Sequence, residues 1–266
     1  MSLYDMIDDI SARQATKTET GDTRINGVVL GVVTKLYDEN IKGRVCVQIP
    51  TRDNEANELV WARVSQPSSG ASWGHYFLPE VEDQVLLAFE GGNIERPYVI
   101  GCVPKDNSKL VSGHADQPNS KKAIVTTSGN RITFTDTEEK EIIDVATAKD
   151  AFSITMENEA KKITITDKEK ENQIVIAAGD AGKITIKAAN KCEILVGEVK
   201  VIINGQSGAV SIESQKVNIK ASTGISMKTD GNMSLEAANL TLKASASLKA
   251  SSDGVTQISG SIVKNG

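Results

Sequence analysis

From Ala123 to the C-terminus one short pattern recurs, two aliphatic residues alternating with two polar ones. It reads Ile-Thr-Phe-Thr at 132–135, Ile-Thr-Ile-Thr at 163–166, Ile-Val-Ile-Ala at 174–177 and Ile-Thr-Ile-Lys at 184–187. It continues as Val-Ser-Ile-Glu at 210–213, Val-Asn-Ile-Lys at 217–220, Ile-Ser-Met-Lys at 225–228, Met-Ser-Leu-Glu at 233–236 and Leu-Thr-Leu-Lys at 240–243. Alternation with a period of two is the signature of a β-strand with one apolar and one polar face. Repeats begin about ten residues apart and tighten to seven or eight after Val210.

About 14 such strands, each with two aliphatics on one side, leave nearly 30 apolar side chains to cover. At about 1.5–3 kcal/mol for each one fully buried, tens of kcal/mol depend on finding a partner surface. A β-helix coiled from one chain uses repeats of about twenty residues or more. An eight-residue period supplies one strand and one corner, so the other two faces must come from other copies. The period therefore predicts an intertwined trimeric β-helix over residues 123–266. Strands stacked about 4.8 Å apart would give a shaft on the order of 60–70 Å long, each strand paired on both sides by another chain.

Composition agrees with thin layers. Hydrophobic residues make up 39% of the 266, yet aromatics only 4%, whereas a globular core uses more of these large side chains. The net charge of -5 is spread through Lys, Glu and Asp mixtures, unlike the clustered basic patch of a nucleic-acid groove. No apolar run approaches the roughly 20 residues that span a bilayer. The first ten residues carry three Asp and no base, so a secretory signal is not expected. Cys46, Cys102 and Cys192 are odd in number and far apart, the usage of free thiols in a reducing compartment.

Residues 1–22 form an N-terminal arm. Leu3, Met6, Ile7 and Ile10 fall at helical spacing, and so short a helix needs a surface to dock on. Residues 23–106 read as an all-β barrel of the oligonucleotide/oligosaccharide-binding (OB) type. Its expected strands are 25–33, 44–49, 59–64, 75–78, 84–89 and 98–103, separated by turn signals at 41–43, 66–70 and 90–93. Residues 107–122 are a polar linker, too short for an inserted domain.

The barrel stretches resemble the phage baseplate spike (assembly protein V) and VgrG family. The matching segments are 31–38 (Gly-Val-Val-Thr-Lys-Leu-Tyr-Asp), 43–50 (Gly-Arg-Val-Cys-Val-Gln-Ile-Pro), 61–67 (Trp-Ala-Arg-Val-Ser-Gln-Pro) and 77–103, in the expected order and spacing. The family usually has Gly where Glu82 stands. The resemblance implies a structural, trimeric central spike of a contractile injection system. Such a spike is made in the bacterial cytoplasm without a signal peptide and built into the baseplate of a tail-like particle. It would join hub to tip and puncture the target envelope when the sheath contracts. Only about 20 residues precede the barrel, so the trimeric hub is expected to be a separate protein, met by Leu3, Met6, Ile7 and Ile10. A PAAR-type tip protein is expected on Ile258, Ile262 and Val263.

The competing function is a trimeric β-helical tailspike that degrades surface polysaccharide with paired carboxylates. Sugar clefts are paved with aromatics, and none occurs after Phe152. No enzyme activity, catalytic residue, cofactor or metal site is expected. His75, placed in a barrel strand, and His114, in the linker, stand alone. The stretch 177–184 has only a passing likeness to a phosphate loop and reads as a turn, because Ala177 and Ile184 replace the Gly and Ser/Thr that such a loop needs. The charge run 167–172 reads as a solvated corner. Trp61 and Trp73 are expected in the core.

Overall fold

The computed structural model describes residues 3–19, 21, 23–50, 60–179 and 182–264. The chain is nearly all β, in two compact units. One comprises residues 1–194 and 201–211, the other 195–200 and 212–266.

The arm forms helix α1 (Leu3–Thr16), 14 residues long, a length at which an isolated helix is marginal. Arg24 tethers its C-terminal end. The Arg24 backbone N–H donates to the Thr16 carbonyl at 2.9 Å, and its Nε donates to the carbonyls of Gln14 (3.1 Å) and Lys17 (2.9 Å). Its Nη1 donates to the Gly91 carbonyl, which ties the helix to the barrel.

Five strands close into the barrel: β1 (Val29–Lys35), β2 (Arg44–Gln48), β3 (Val60–Val64), β4 (Gln84–Phe89) and β5 (Pro97–Val103), in the order β1-β2-β3-β5-β4. All neighbours are antiparallel except β3 and β5, which run parallel through Arg63↔Tyr98 and Val64↔Val99. Closure removes the sheet edges. Period-two alternation turns Val33, Val45, Val47, Ala62, Val85, Leu87, Phe89 and Val99 into one buried cluster, joined by Ile49. Leu59, expected to open the third strand, lies outside the described residues.

Three expectations fail in the loop between β3 and β4. Residues 75–78 form no strand, because the loop's hydrogen bonds are spent locally. Gly70 N–H donates to the Trp73 carbonyl (2.8 Å), His75 N–H donates to that of Ser68 (2.9 Å), and the Gln66 side-chain amide clasps the Phe77 backbone. His75 accordingly sits in this loop, its Nδ1 2.9 Å from the Ser68 hydroxyl. Trp73 is not core: it is 68% exposed, its indole lying over Gly70, where a Cβ would come within 3 Å of it. Trp61 is not core either. Ala62 takes the inward position of β3, so its neighbour points outward, opposite Cys46.

Glu82 has φ +72° in the turn before β4, with its N–H bound to the Val33 carbonyl at 2.8 Å. A left-handed conformation costs a residue with a Cβ about 1–2 kcal/mol. Glycine, the residue the resemblance leads one to expect at this position, adopts that conformation without the cost. Glu82→Gly should raise barrel stability by about 0.5–1 kcal/mol, the strain relieved less the entropy a glycine loses. A higher urea midpoint at unchanged m-value checks this.

After the barrel, α2 (Lys109–His114) interrupts the linker, capped by the Ser108 hydroxyl, which accepts from the Val111 N–H. His114 Nδ1 lies 2.8 Å from the Leu110 carbonyl. Seven strands follow: β6 (Lys121–Val125), β7 (Arg131–Thr135), β8 (Ile142–Ala146), β9 (Phe152–Glu157), β10 (Lys162–Asp167), β11 (Gln173–Ala177) and β12 (Lys183–Lys187). They form one antiparallel meander in chain order. A three-stranded sheet follows, made of β13 (Lys191–Val196), β14 (Val199–Asn204) and β15 (Ala209–Glu213).

Along this stretch each strand pairs with its sequence neighbours. The reason lies in the corners. Each hairpin of the meander and of the second sheet contains a residue at positive φ, among them Gly129, Glu139, Lys149, Lys161, Lys170 and Gly182, with Gly197 and Gly208 in the second sheet. That backbone conformation turns a strand back on itself. Ten-residue repeats leave room for such a corner. From Ser214 to Lys264 no described residue has positive φ, and no strand forms.

Candidate functional site

The register of the meander sorts its side chains into rows. One row runs Ile124, Ile132, Val145, Ile154, Ile165, Ile174, Ile186; a second runs Lys122, Phe134, Ile143, Met156, Ile163, Ile176, Ile184. Both lie on the same face, since each pair of rows is separated by two residues along every strand. Thirteen of these fourteen positions are apolar, and they are 37–69% exposed. The face overlooks an open trough of about 900 Å³ that Phe77 helps to line.

The reverse face is polar and self-satisfied. Its central row is Ala123, Thr133, Asp144, Thr155, Thr164, Val175, Thr185. Arg131 bonds Asp144 at 3.0 Å and Asp150 at 2.5 Å, and Thr155 donates to Asp144 at 3.0 Å. The hydrogen bond that Arg131 donates to Asp150, followed by the charge of Asp144, holds the guanidinium more firmly protonated than usual. The central threonines are less exposed than the isoleucines beside them. The single chain is thus inside out over this sheet, which is the arrangement of a surface made to be covered.

Met6, Ile7 and Ile10 of the arm are about half exposed; the Leu3 side chain lies outside the described residues. Ile258, Ile262 and Val263 are 77%, 76% and 53% exposed in an unpaired segment. Gly182 N–H donates to the Gly179 carbonyl at 2.9 Å, making the phosphate-loop look-alike a corner between β11 and β12. In the charge run, the Asp167 carboxylate accepts from the backbone of Glu171 and Asn172 and from the Asn172 side chain. The Asn172 side-chain bond, foremost, holds Asp167 below its ordinary range. Among the described residues no group of three or more His, Cys, Asp or Glu could hold a metal ion, and no helix is long and apolar enough to cross a membrane.

One polar pocket was not anticipated. On the outer wall of the barrel Arg44, Trp61, Arg63, Glu90, Glu95, Arg96, Pro97 and Tyr98 enclose about 410 Å³. Glu90 accepts from the Tyr98 hydroxyl (3.0 Å) and from Arg96 (3.1 Å), and these two bonds, Tyr98 first, hold its carboxyl below the usual range. Arg63 lies 6.0 Å from the centre of the Tyr98 ring, within cation–π reach. Only the register brings Arg44 opposite Arg63 and Arg63 beside Tyr98. The signal was present in the sequence as outward positions of predicted strands, but pairing partners were not.

Comparison with known proteins places the barrel. Residues 29–103 match the family of the type VI secretion system/phage-baseplate injector OB domain. Two spike proteins of the type VI secretion system of Pseudomonas aeruginosa, VgrG2a and VgrG2b, are each 34% identical over 85 residues, 29% of this chain. The match spans 10% and 8% of those proteins' lengths. The five closed strands coincide with the matched residues. The likeness carried by the barrel motifs is therefore to a VgrG-type baseplate spike, through the injector OB domain at residues 29–103.

Proposed function

We propose that this chain is the homotrimeric central spike of a contractile injection system, structural and without enzymatic activity. The observation that supports it is the pair of aliphatic rows on one face of the meander. Three copies facing a shared axis cover those rows, and covering thirteen half-exposed side chains contributes on the order of 10–20 kcal/mol per chain. Three sheets facing one axis close into a prism in which each covers the aliphatic rows of the other two.

Residues 214–266 complete the shaft. Val217, Ile219, Ile225, Met227, Leu240 and Leu242 are 55–69% exposed, and the described residues of this stretch make no strand pairing of their own. Unpaired backbone groups and bare aliphatics are both satisfied when three such segments wind together. The needle so formed concentrates the force of sheath contraction on a small area of the target envelope. Met6, Ile7 and Ile10, with Leu3, dock on a separate trimeric hub, and Ile258, Ile262 and Val263 seat a PAAR-type tip protein. The protein is made in the bacterial cytoplasm and assembled into the baseplate.

Size-exclusion chromatography with light scattering of the full chain should give three times its 28.4 kDa mass, and the species should survive SDS without boiling. A chain truncated after Gly254 should remain a trimer and lose co-elution with a PAAR-type tip protein. A single-chain mass at micromolar concentration overturns the proposal.

A further inference from the structure

The barrel's outer pocket has a charge arrangement that nothing in the needle explains. Arg44 and Arg63 stand directly opposite each other across β2 and β3, and like charges so placed destabilise a strand pair. Among the described residues neither Arg44 nor Arg63 forms an ion pair within 4 Å; Arg63 donates to the Tyr98 hydroxyl at 3.5 Å, lies near its ring and acts on Glu90 only through space. The Glu90 carboxylate is already held by Tyr98 and Arg96. Three guanidinium groups against two carboxylates leave the pocket with a surplus positive charge, on a chain whose net charge is -5.

We infer that this pocket is a carboxylate-binding site, with Arg44 and Arg63 as a paired fork for an Asp or Glu side chain of a docked protein partner. Two planar guanidinium groups side by side suit a carboxylate in two-pronged geometry. Trp61 and Tyr98 line the same pocket, so a galacturonate tetramer, which offers a carboxylate on a sugar ring, is the competitor in the test below. The position names the partner. Arg24, which anchors the root of α1, bonds the carbonyl of Gly91, the residue next to Glu90 in the pocket wall, and Ile25 N–H bonds the Gly92 carbonyl. The site thus sits beside the arm and points to the same hub; identifying the hub as the occupant rests on the proposed spike function, whereas the chemistry of the site does not.

The test uses the full chain carrying Trp73→Phe, which leaves Trp61 in the pocket wall as the one remaining tryptophan. An acetylated, amidated tetraglutamate peptide is titrated at low ionic strength. A saturable change in Trp61 emission is expected, with screening by about 0.5 M salt, and at least tenfold weaker binding in Arg44→Gln/Arg63→Gln. Removing the repelling pair leaves the urea midpoint unchanged or raised, so loss of binding reports the site rather than the fold. Arg63→Lys, which keeps the charge and loses the fork, should weaken binding severalfold. Equal response to tetraglutamine, full affinity in the double variant, or tighter binding of a galacturonate tetramer overturns the assignment. The readout needs neither trimer nor hub, so a single-chain mass would refute the spike without touching this result, and a silent titration would do the reverse.

Discussion

Ile154→Asp should convert the SDS-resistant trimer into single chains while leaving the barrel folded. Ile154 lies mid-row between Val145 and Ile165 and is 39% exposed in the isolated chain, so assembly on the proposed axis buries what remains. Three copies would bring three carboxylates into one apolar layer. An unpaired buried charge costs several kcal/mol, and here it is repeated three times with mutual repulsion. Protonation relieves part of that, but still leaves unsatisfied polar groups among isoleucines. Light scattering should report the mass falling threefold. Thr164→Asp, on the reverse face one residue before Ile165, is the control and should keep the trimer. An Ile154→Asp protein that remains trimeric would remove the aliphatic rows as the basis of assembly.

Leu87→Ala is expected to destabilise the barrel by about 3–5 kcal/mol, the range for a fully buried leucine whose site cannot collapse. Leu87 is 0% exposed, and it fills the space over Gly31, where a Cβ would stand 2.7 Å from Leu87 Cδ1 and 3.1 Å from Cγ. Gly31→Ala should therefore cost about 1–3 kcal/mol by overpacking. In the double variant the added methyl enters the cavity that the shortened side chain leaves, so the two penalties should sum to less than their separate values. Urea unfolding followed by tryptophan emission gives the cycle, because Trp61 and Trp73 both belong to the barrel segment. Strict additivity would show that the two sites do not share the space.

The barrel was legible because its pattern is local. Val85, Leu87 and Phe89 alternate in the sequence as they do in the wall, and the expected strand at 84–89 is the observed one. The repeats were legible as strands and as a one-sided apolar surface. What their sequence conceals is the partner of each strand. Ile-Thr-Ile-Thr at 163–166 and Leu-Thr-Leu-Lys at 240–243 carry the same alternation, yet only the first pairs within its own chain. The difference resides in corner residues such as Glu139, Lys161 and Lys170, charged side chains in left-handed conformations that composition assigns to a solvated surface and not to a turn. The tryptophans misled for a related reason. Bulk suggests burial, but strand phase turns Trp61 outward, and a glycine at 70 offers Trp73 a seat on the surface. The paired arginines needed a register that no single strand contains.

Among the described residues the last corner with left-handed backbone is at Gly208. Upstream of it every strand finds its mates within the same chain, in the two meandering sheets only a few residues away, so on the proposed assembly this part can form during synthesis, at a speed indifferent to how many copies are present. Downstream, ordering waits for encounters between three molecules and should grow steeply faster as expression rises. Residue 213 thus divides the molecule in time as well as in space, and a cell producing few copies would accumulate chains with finished heads and slack tails.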